Sequence, residues 1–349
     1  MRGGAPRAAL PRTAAQVPAI SVLLPAYQAE ATLATALHSV RRQSEQDWEC
    51  VIVDDGSRDR SPEIAEAFVR TDPRFQLLRL SHVGIVRALQ AGVEACSGEL
   101  VARMDADDIM HRHRLRLQRA ALAEASLAGV GCHVRLFPRG ARLTDGLRAY
   151  ERWLCAVMSS EDIAREAFVE CPLAHPTWMM RRSIMVELGY RDADWPEDYD
   201  LLLRLLANGG RLGTVPKRLL LWRDGPRRLS RRSARYSLAS FVACKAEHLS
   251  RSFLANTERY VLWGYGDTGK ALAQALAQRG KHPSSIIELH PGRLEQLIRG
   301  VRVVRPEALL ERRGEPIVVS VAGARPRSEI RAALTAMGFV ELRDYVCAA

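Results

Sequence analysis

The chain has 349 residues, of which 47% are hydrophobic and 26% charged, with a formal net charge of +11. That length exceeds one typical domain and suits two, each with its own core, while no apolar run reaches bilayer length, which excludes helical membrane spans. The positive charge favours anionic partners such as nucleotide sugars, acidic glycans or phospholipid, but its carriers are nearly all Arg and are not interleaved with aromatics, which argues against nucleic acid.

The opening Met1 to Pro18, rich in Ala, Arg and Pro, lacks the apolar centre of a secretory signal and reads as a disordered leader. From Ile20 short apolar strands alternate with amphipathic helices, the pattern of an α/β sheet covered on both faces. Strands are expected at Ile20 to Leu24, Cys50 to Val53, Phe75 to Leu80 and Leu100 to Met104. Between them lie helices whose stripes carry Leu33, Leu37 and Val40, then Ile64 and Phe68, then Ile85, Leu89 and Val93. From Gly129 to Arg235 the alternation weakens into a less regular half suited to an acceptor. A helix from Tyr236 to Leu254 bridges onward. The βα rhythm restarts at Tyr260 to Trp263, with a helix from Gly269 to Arg279 and strands at Ser285 to Leu289, Pro316 to Val321 and Val340 to Val346. The expected division is a leader over 1–18, a first domain over 19–235, a helical linker over 236–257 and a smaller Rossmann-like α/β domain over 258–349. The seven Cys are scattered and never form a Cys-x-x-Cys pair, as buried thiols of a reducing cytoplasm would be.

Ligands of such sheets bind beyond the carboxyl ends of the strands, and three clusters sit there. Pro25-Ala26-Tyr27 follows the first strand, Asp54-Asp55-Gly56-Ser57 the second and Asp105-Ala106-Asp107-Asp108 the fourth. Three carboxylates within four residues repel one another unless a cation neutralises them, and hard oxygen ligands suit Mn²⁺ or Mg²⁺ completed by substrate phosphates. An acidic turn capping the next helix is the alternative. The segments "LLPAYQAEATLATALHSV", "VIVDDGSRDRS" and "VARMDADD", in this order, resemble the nucleotide-binding half of family 2 glycosyltransferases. The likeness continues through "CPLAHPTWMMRRS" and "PEDYDLLLRL".

That resemblance implies a GT-A fold with a Rossmann-like mixed sheet and an inverting, metal-dependent transfer from a nucleotide-diphosphate sugar, by default a UDP-sugar, to a hydroxyl of a glycan or other acceptor. It implies that Pro25, Tyr27, Asp54 and Asp55 contact base and ribose, that Asp105 holds ribose, and that Asp107, supported by Asp108, binds the metal. Arg87 stands where a basic residue meets the nucleotide, or is an exposed helix Arg. His175 lines the pocket or packs in the core; Trp178 and Trp195 face a sugar ring or, preferably, the core. The resemblance places the catalytic base at Asp198, with Glu197 orienting it, and Pro196 starts a helix whose dipole favours their ionised forms. Six Arg between Arg223 and Arg235 clamp a diphosphate, hold an anionic acceptor or lipid headgroup, or form a solvated face. Any membrane contact is peripheral, at the inner face.

Farther on, Gly264, Gly266 and Gly269 follow a strand and open a helix, the context of a dinucleotide loop, with Glu288 where a ribose-binding acid belongs. NAD is the lesser expectation there, and a structural or regulatory module the greater. An NAD-dependent sugar oxidoreductase and a non-catalytic nucleotide-sugar sensor are the competing functions. No Tyr-x-x-x-Lys pair supports the former, and retention of Asp107 and Asp198 speaks against the latter.

Overall fold

The computed structural model describes residues 17–349 except 125, 139–141, 227 and 290. Residues 1–16 of the expected leader and Arg227 of the basic stretch lie outside the described residues. Strands β1 (Ile20–Ala26), β2 (Trp48–Asp54), β3 (Phe75–Arg79) and β4 (Leu100–Arg103) alternate with helices α1 (Leu33–Arg41), α2 (Ser61–Thr71) and α3 (Ile85–Ala95). Every residue of β1 and β2 is buried, as a parallel strand between two helical layers must be. Their alternation divides two cores. Ile20, Val22, Leu24, Cys50 and Ile52 pack with Leu33, Leu37 and Phe68 on one face; Leu23, Val51 and Val53 pack with Leu89 and Val93 on the other.

The half that reads as irregular in the sequence completes the sheet. After β5 (Ile109–Met110) and α4 (Arg114–Glu124), it comprises β6 (Gly129–Pro138), α5 (Asp145–Ala156), α6 (Ser160–Glu166), β7 (Met179–Arg181), α7 (Arg182–Leu188), α8 (Glu197–Ala207) and the 13-residue β8 (Leu212–Asp224). The eight strands lie in the order β3-β2-β1-β4-β7-β6-β8-β5. β1 to β4 are mutually parallel, whereas β7 runs antiparallel to both β4 and β6. The chain therefore crosses from one side of β1 to the other between β3 and β4, the kind of reversal at whose carboxyl edge ligands of α/β sheets bind. Both β1 and β2 run further toward that edge than their apolar runs suggest, so Pro25, Ala26 and Asp54 are the last ladder residues rather than loop.

After the short α9 (Leu229–Arg232), helix α10 (Leu238–Arg251) leads into β9 (Arg259–Trp263), α11 (Asp267–Ala277), β10 (His282–Ile287), β11 (Leu297–Ile298), β12 (Val301–Val304), β13 (Ile317–Val319), α12 (Ala324–Ala336) and β14 (Tyr345–Cys347). These strands form a second sheet in the order β11-β12-β10-β9-β13-β14, parallel except for β11. α10 serves both units: Cys244 packs in a core of the first sheet, and Val242, Ala246 and Leu249 in a core of the second. The buried Lys245 ammonium donates to the carbonyls of Val169 and Ala348 at 2.7 and 2.9 Å, and burial pushes it down to about 8. Beside it Arg331 pairs with Glu166 at 2.7 Å and Glu341 at 2.8 Å. All seven Cys are free thiols. No helix of the described residues is long and apolar enough to cross a membrane.

The glycine loop after β9 packs as a Rossmann-like turn. Gly264 has φ +98°, and a Cβ built on Gly269 would meet the Gly264 carbonyl oxygen at 2.1 Å, whereas one on Gly266 meets nothing within 4 Å. Gly269→Ala is therefore expected to lower stability by about 1–3 kcal/mol through overpacking, and Gly266→Ala by under about 0.5 kcal/mol. Urea unfolding of the two variants checks this; equal losses would show that the close approach is not what fixes the loop.

Candidate active site

The carboxyl edge of β1 to β4 carries the residues singled out in the sequence. Tyr27, just past β1, is exposed and stacks on His82 with ring centroids 4.2 Å apart and planes 17° from parallel. This makes a flat aromatic shelf beside the buried Asp54, whose Oδ1 accepts from the Ser57 amide at 3.3 Å. Pro25 is buried in the strand opposite Val53. Asp55 is engaged otherwise: its two carboxylate oxygens accept from the amides of Val83 and Gly84 at 2.7 and 3.0 Å. It thereby fixes the turn that carries His82 and starts α3. Arg87 projects from the first turn of α3 toward Asp192, 3.9 Å away, and is largely exposed.

Asp105, Asp107 and Asp108 each bring a carboxylate oxygen within 4.8 Å of the others. The fold forces this crowding, because β5 pairs with β8 immediately afterwards and draws Asp108 against Arg223. The Arg223 amide donates to Asp108 Oδ1 at 2.8 Å and its Nε to the Asp107 carbonyl at 2.7 Å. Burial first, then the charge of Asp105, pushes Asp107 up to about 6; Asp108 is driven up in the same way. Arg223 and Arg228 pull Asp107 the other way. Two arginines of the basic stretch thus reach the cluster, while Arg231 is held by Asp224 at 2.6 Å. Asp108 Oδ2 is buried with no hydrogen-bond partner among the described residues, so the donor set has an oxygen left over for a cation.

Two buried arginines lie behind the cluster. Arg114, 0% exposed, donates to Gln118 Oε1 at 2.8 Å and to the Arg103 carbonyl at 2.8 Å. Arg103, 4% exposed at the end of β4, places Nη1 2.7 Å from Asp105 Oδ1, yet its Nε and Nη1 have no aligned hydrogen-bond partner among the described residues. Its field reaches farther, to Glu197 and Asp198 at the start of α8 and to His175 and Tyr190. Arg103 therefore acts electrostatically on both the acidic cluster and the second pair of acids.

That pair divides its labour. Glu197 is 2% exposed, and both its oxygens accept from the Tyr236 hydroxyl at 2.9 and 2.8 Å. Asp198 is only half-buried, its Oδ1 accepting from the Tyr199 amide at 2.7 Å. Burial and then the adjacent Glu197 push Asp198 up to about 7. Asp200, two residues on, is a structural anchor that binds Arg204 at 2.7 Å, His248 at 3.0 Å and the Trp195 indole at 3.2 Å. Pro196 precedes the helix as its N-cap. His175 is buried and hydrogen-bonded to the Tyr190 hydroxyl at 2.8 Å, and burial holds it far below its ordinary value, hence neutral. Trp178 is buried in the core with its indole on the Leu173 carbonyl.

Arg103, His82 and Tyr236 escape motif reading, since a lone His or Tyr in a turn carries no spacing signal. Arg103 does leave one trace, a cation inside an otherwise apolar strand buried on both faces, which must have a partner. In the second sheet, Glu288 is drawn to Arg293 at 3.1 Å and accepts from the Leu289 amide, so the acid expected on a ribose is already engaged.

The family model "Glycosyl transferase family 2" matches residues 21–189. EpsE of Bacillus subtilis (strain 168), named as a glycosyltransferase, is 30% identical over 233 residues, covering 64% of this chain and 80% of EpsE. Other curated relatives match over less of their length: the chain spans about a quarter of one and a third of another. Among solved structures, S. aureus TarS in complex with UDP-GlcNAc superposes with a TM-score of 0.53 at 16% identity, covering 74% of this chain and 71% of TarS. The mannosyltransferase PcManGT from Pyrobaculum calidifontis, in complex with GDP-Man and Mn²⁺, does so with a TM-score of 0.51 at 17% identity, covering 93% of this chain and 81% of that one. The match to EpsE over most of its length, with the family model over residues 21–189, makes the chain a member of glycosyl transferase family 2, and the mixed sheet shared with TarS and PcManGT is its GT-A fold.

Proposed function

We propose that the chain transfers a sugar, with inversion, from a nucleotide-diphosphate sugar to a hydroxyl of a growing polysaccharide or similar acceptor, and that UDP is the nucleotide. The observation that carries this reading is the meeting of Asp105, Asp107 and Asp108 at one strand edge, with the half-buried Asp198 within the field of Arg103, the buried cation paired with Asp105. TarS and PcManGT, each solved with a nucleotide sugar, support the donor class.

On this reading Tyr27 and His82 offer the base a stacking face, and Asp54 and Asp105 accept from ribose hydroxyls. The residues fit a divalent cation, Mn²⁺ or Mg²⁺: Asp107 would hold it with Asp108 beside it, and once bound it supplies positive charge against the departing diphosphate. Arg223 and Arg228 add charge of the same sign. Asp198, poised near neutrality, accepts the proton of the acceptor hydroxyl as that oxygen bonds to the anomeric carbon. The bond from this carbon to the diphosphate oxygen breaks, and its electron pair leaves with the nucleotide. One displacement inverts the centre. Residues 19–235 carry the transfer, and the unit over 258–349, joined by the 236–257 linker, is a docked structural or regulatory module. The enzyme works in the cytoplasm, with at most peripheral contact at the membrane's inner face.

Asp198→Asn is expected to keep UDP affinity while cutting turnover by about 10²–10⁴-fold, the usual worth of a general base. Asp107→Ala is expected to lose Mn²⁺-dependent UDP binding. Calorimetry with UDP and a UDP-release assay separate the two, and the reverse pattern would exchange the roles. In a thermal-shift series UDP with Mn²⁺ should raise the melting temperature and NAD should not; a response to NAD alone would favour an oxidoreductase.

Removing the buried cation should cost more than either substitution. Arg103→Met leaves Asp105 and its neighbours without their compensating charge and is expected to lose about 3–5 kcal/mol in urea unfolding. Arg103→Lys should recover part of this. Full stability in Arg103→Met would mean that the acids do not depend on it.

A further inference from the structure

Arg223, Arg231, Arg235 and Tyr236, from the end of β8 onward, tie the two halves of the site together as a strap. Arg223 binds the Asp107 carbonyl and Asp108, and Arg231 binds Asp224. Arg235 then buckles onto the loop before α8, donating to the carbonyls of Ala193 and Trp195 and to Asp192 at 2.7 Å. The next residue, Tyr236, ends the strap on Glu197. Its single hydroxyl proton stands between two carboxylate oxygens at nearly equal distance. A protonated Glu197 would present one acceptor and one donor; near-equal approach to both oxygens suits an ionised carboxylate that only accepts.

We propose that Tyr236 is a positioning residue that keeps Glu197 ionised, so that the fixed negative charge of Glu197 sets the proton affinity of Asp198. The proposal rests on the reading of Asp198 as base. Other groups also face Asp198: the Tyr199 amide on its own helix, Arg103 from β4, Tyr190 after α7, Cys171 after α6, Cys244 from α10 and the Tyr236 hydroxyl itself. Of these Arg103 is the cation: it opposes the effect of Glu197 on Asp198, and burial raises Glu197 itself while the Tyr236 hydroxyl, then Arg103 and Arg235, hold it down. Among the described residues Tyr236 is the side chain that hydrogen-bonds Glu197. Without its hydroxyl the buried Glu197 gains a proton more readily, the repulsion on Asp198 weakens, and Asp198 releases its proton at lower pH.

The test is an NMR titration of the metal-free full chain labelled with ¹³C at the Asp side-chain carboxyls, the Asp198 signal being assigned by its loss in Asp198→Asn. Wild type should titrate near neutrality, and Tyr236→Phe, which keeps the ring, about one pH unit lower. Glu197→Gln should shift Asp198 the same way, and the double variant no further than Glu197→Gln alone. Hydrolysis of UDP-GlcNAc with Mn²⁺ should show its acidic limb displaced equally in Tyr236→Phe, with the donor KM unchanged. An Asp198 titration unmoved by Tyr236→Phe or by Glu197→Gln overturns the proposal, as does a shift in the double variant equal to the sum of both. If Asp198→Asn retains full turnover, it is the assignment of the base that fails, whatever the titrations show.

Discussion

Carboxylates crowded into a poorly solvated crevice repel one another, and the site depends on arginines that offset this. Asp105, Asp107 and Asp108 on one side and Glu197 and Asp198 on the other would each favour protonation if buried alone. Arg103 faces both groups from within the sheet, and Arg114, behind it, ties the end of β4 to α4. Arg223 and Arg228 approach from the outside. The arrangement needs a strand end, a helix start and a strap to converge, which the reversal of strand order at β1 provides.

Compensation is incomplete in a particular way. Asp55 is tied by both oxygens into backbone amides, and Asp200 is saturated by Arg204, His248 and Trp195. Among the described acids at this edge, those left with free capacity are Asp54, the triad and Asp198. Structure-holding acids and chemistry-bearing acids thus differ in how many donors surround them, not in residue type. This also separates neighbours in sequence: Asp55 holds a turn while Asp54 borders the crevice, and Glu197 is held while Asp198 is accessible.

Much of this was legible in the sequence where local rules govern. Strands β1 to β4 are continuous apolar runs, the helices between them have single stripes, and the acids follow the strand ends. The half from Gly129 to Arg235 was not, because its order comes from distant pairing. β6 joins β8 across some eighty residues with the antiparallel β7 inserted beside it, and Arg114 and Gln118 bridge α4 to backbone carbonyls that no spacing reveals. Asp55 reads as a ligand by its motif, yet its donors, Val83 and Gly84, come from a loop nearly thirty residues away. The glycine loop shows the converse: Gly264 and Gly269 have a steric reason for being glycine that involves no bound cofactor.

The seam between the two sheets has a practical meaning for anyone recombining such chains. Lys245 is sunk between carbonyls of Val169 and Ala348, and Glu166 receives Trp153 from one side and Arg331 from the other. The second sheet is accordingly not a cartridge that can be exchanged at its linker. A chimera would have to carry α10 and the Glu166 to Val169 turn along with it, or else strand an ammonium and a carboxylate in a dry joint.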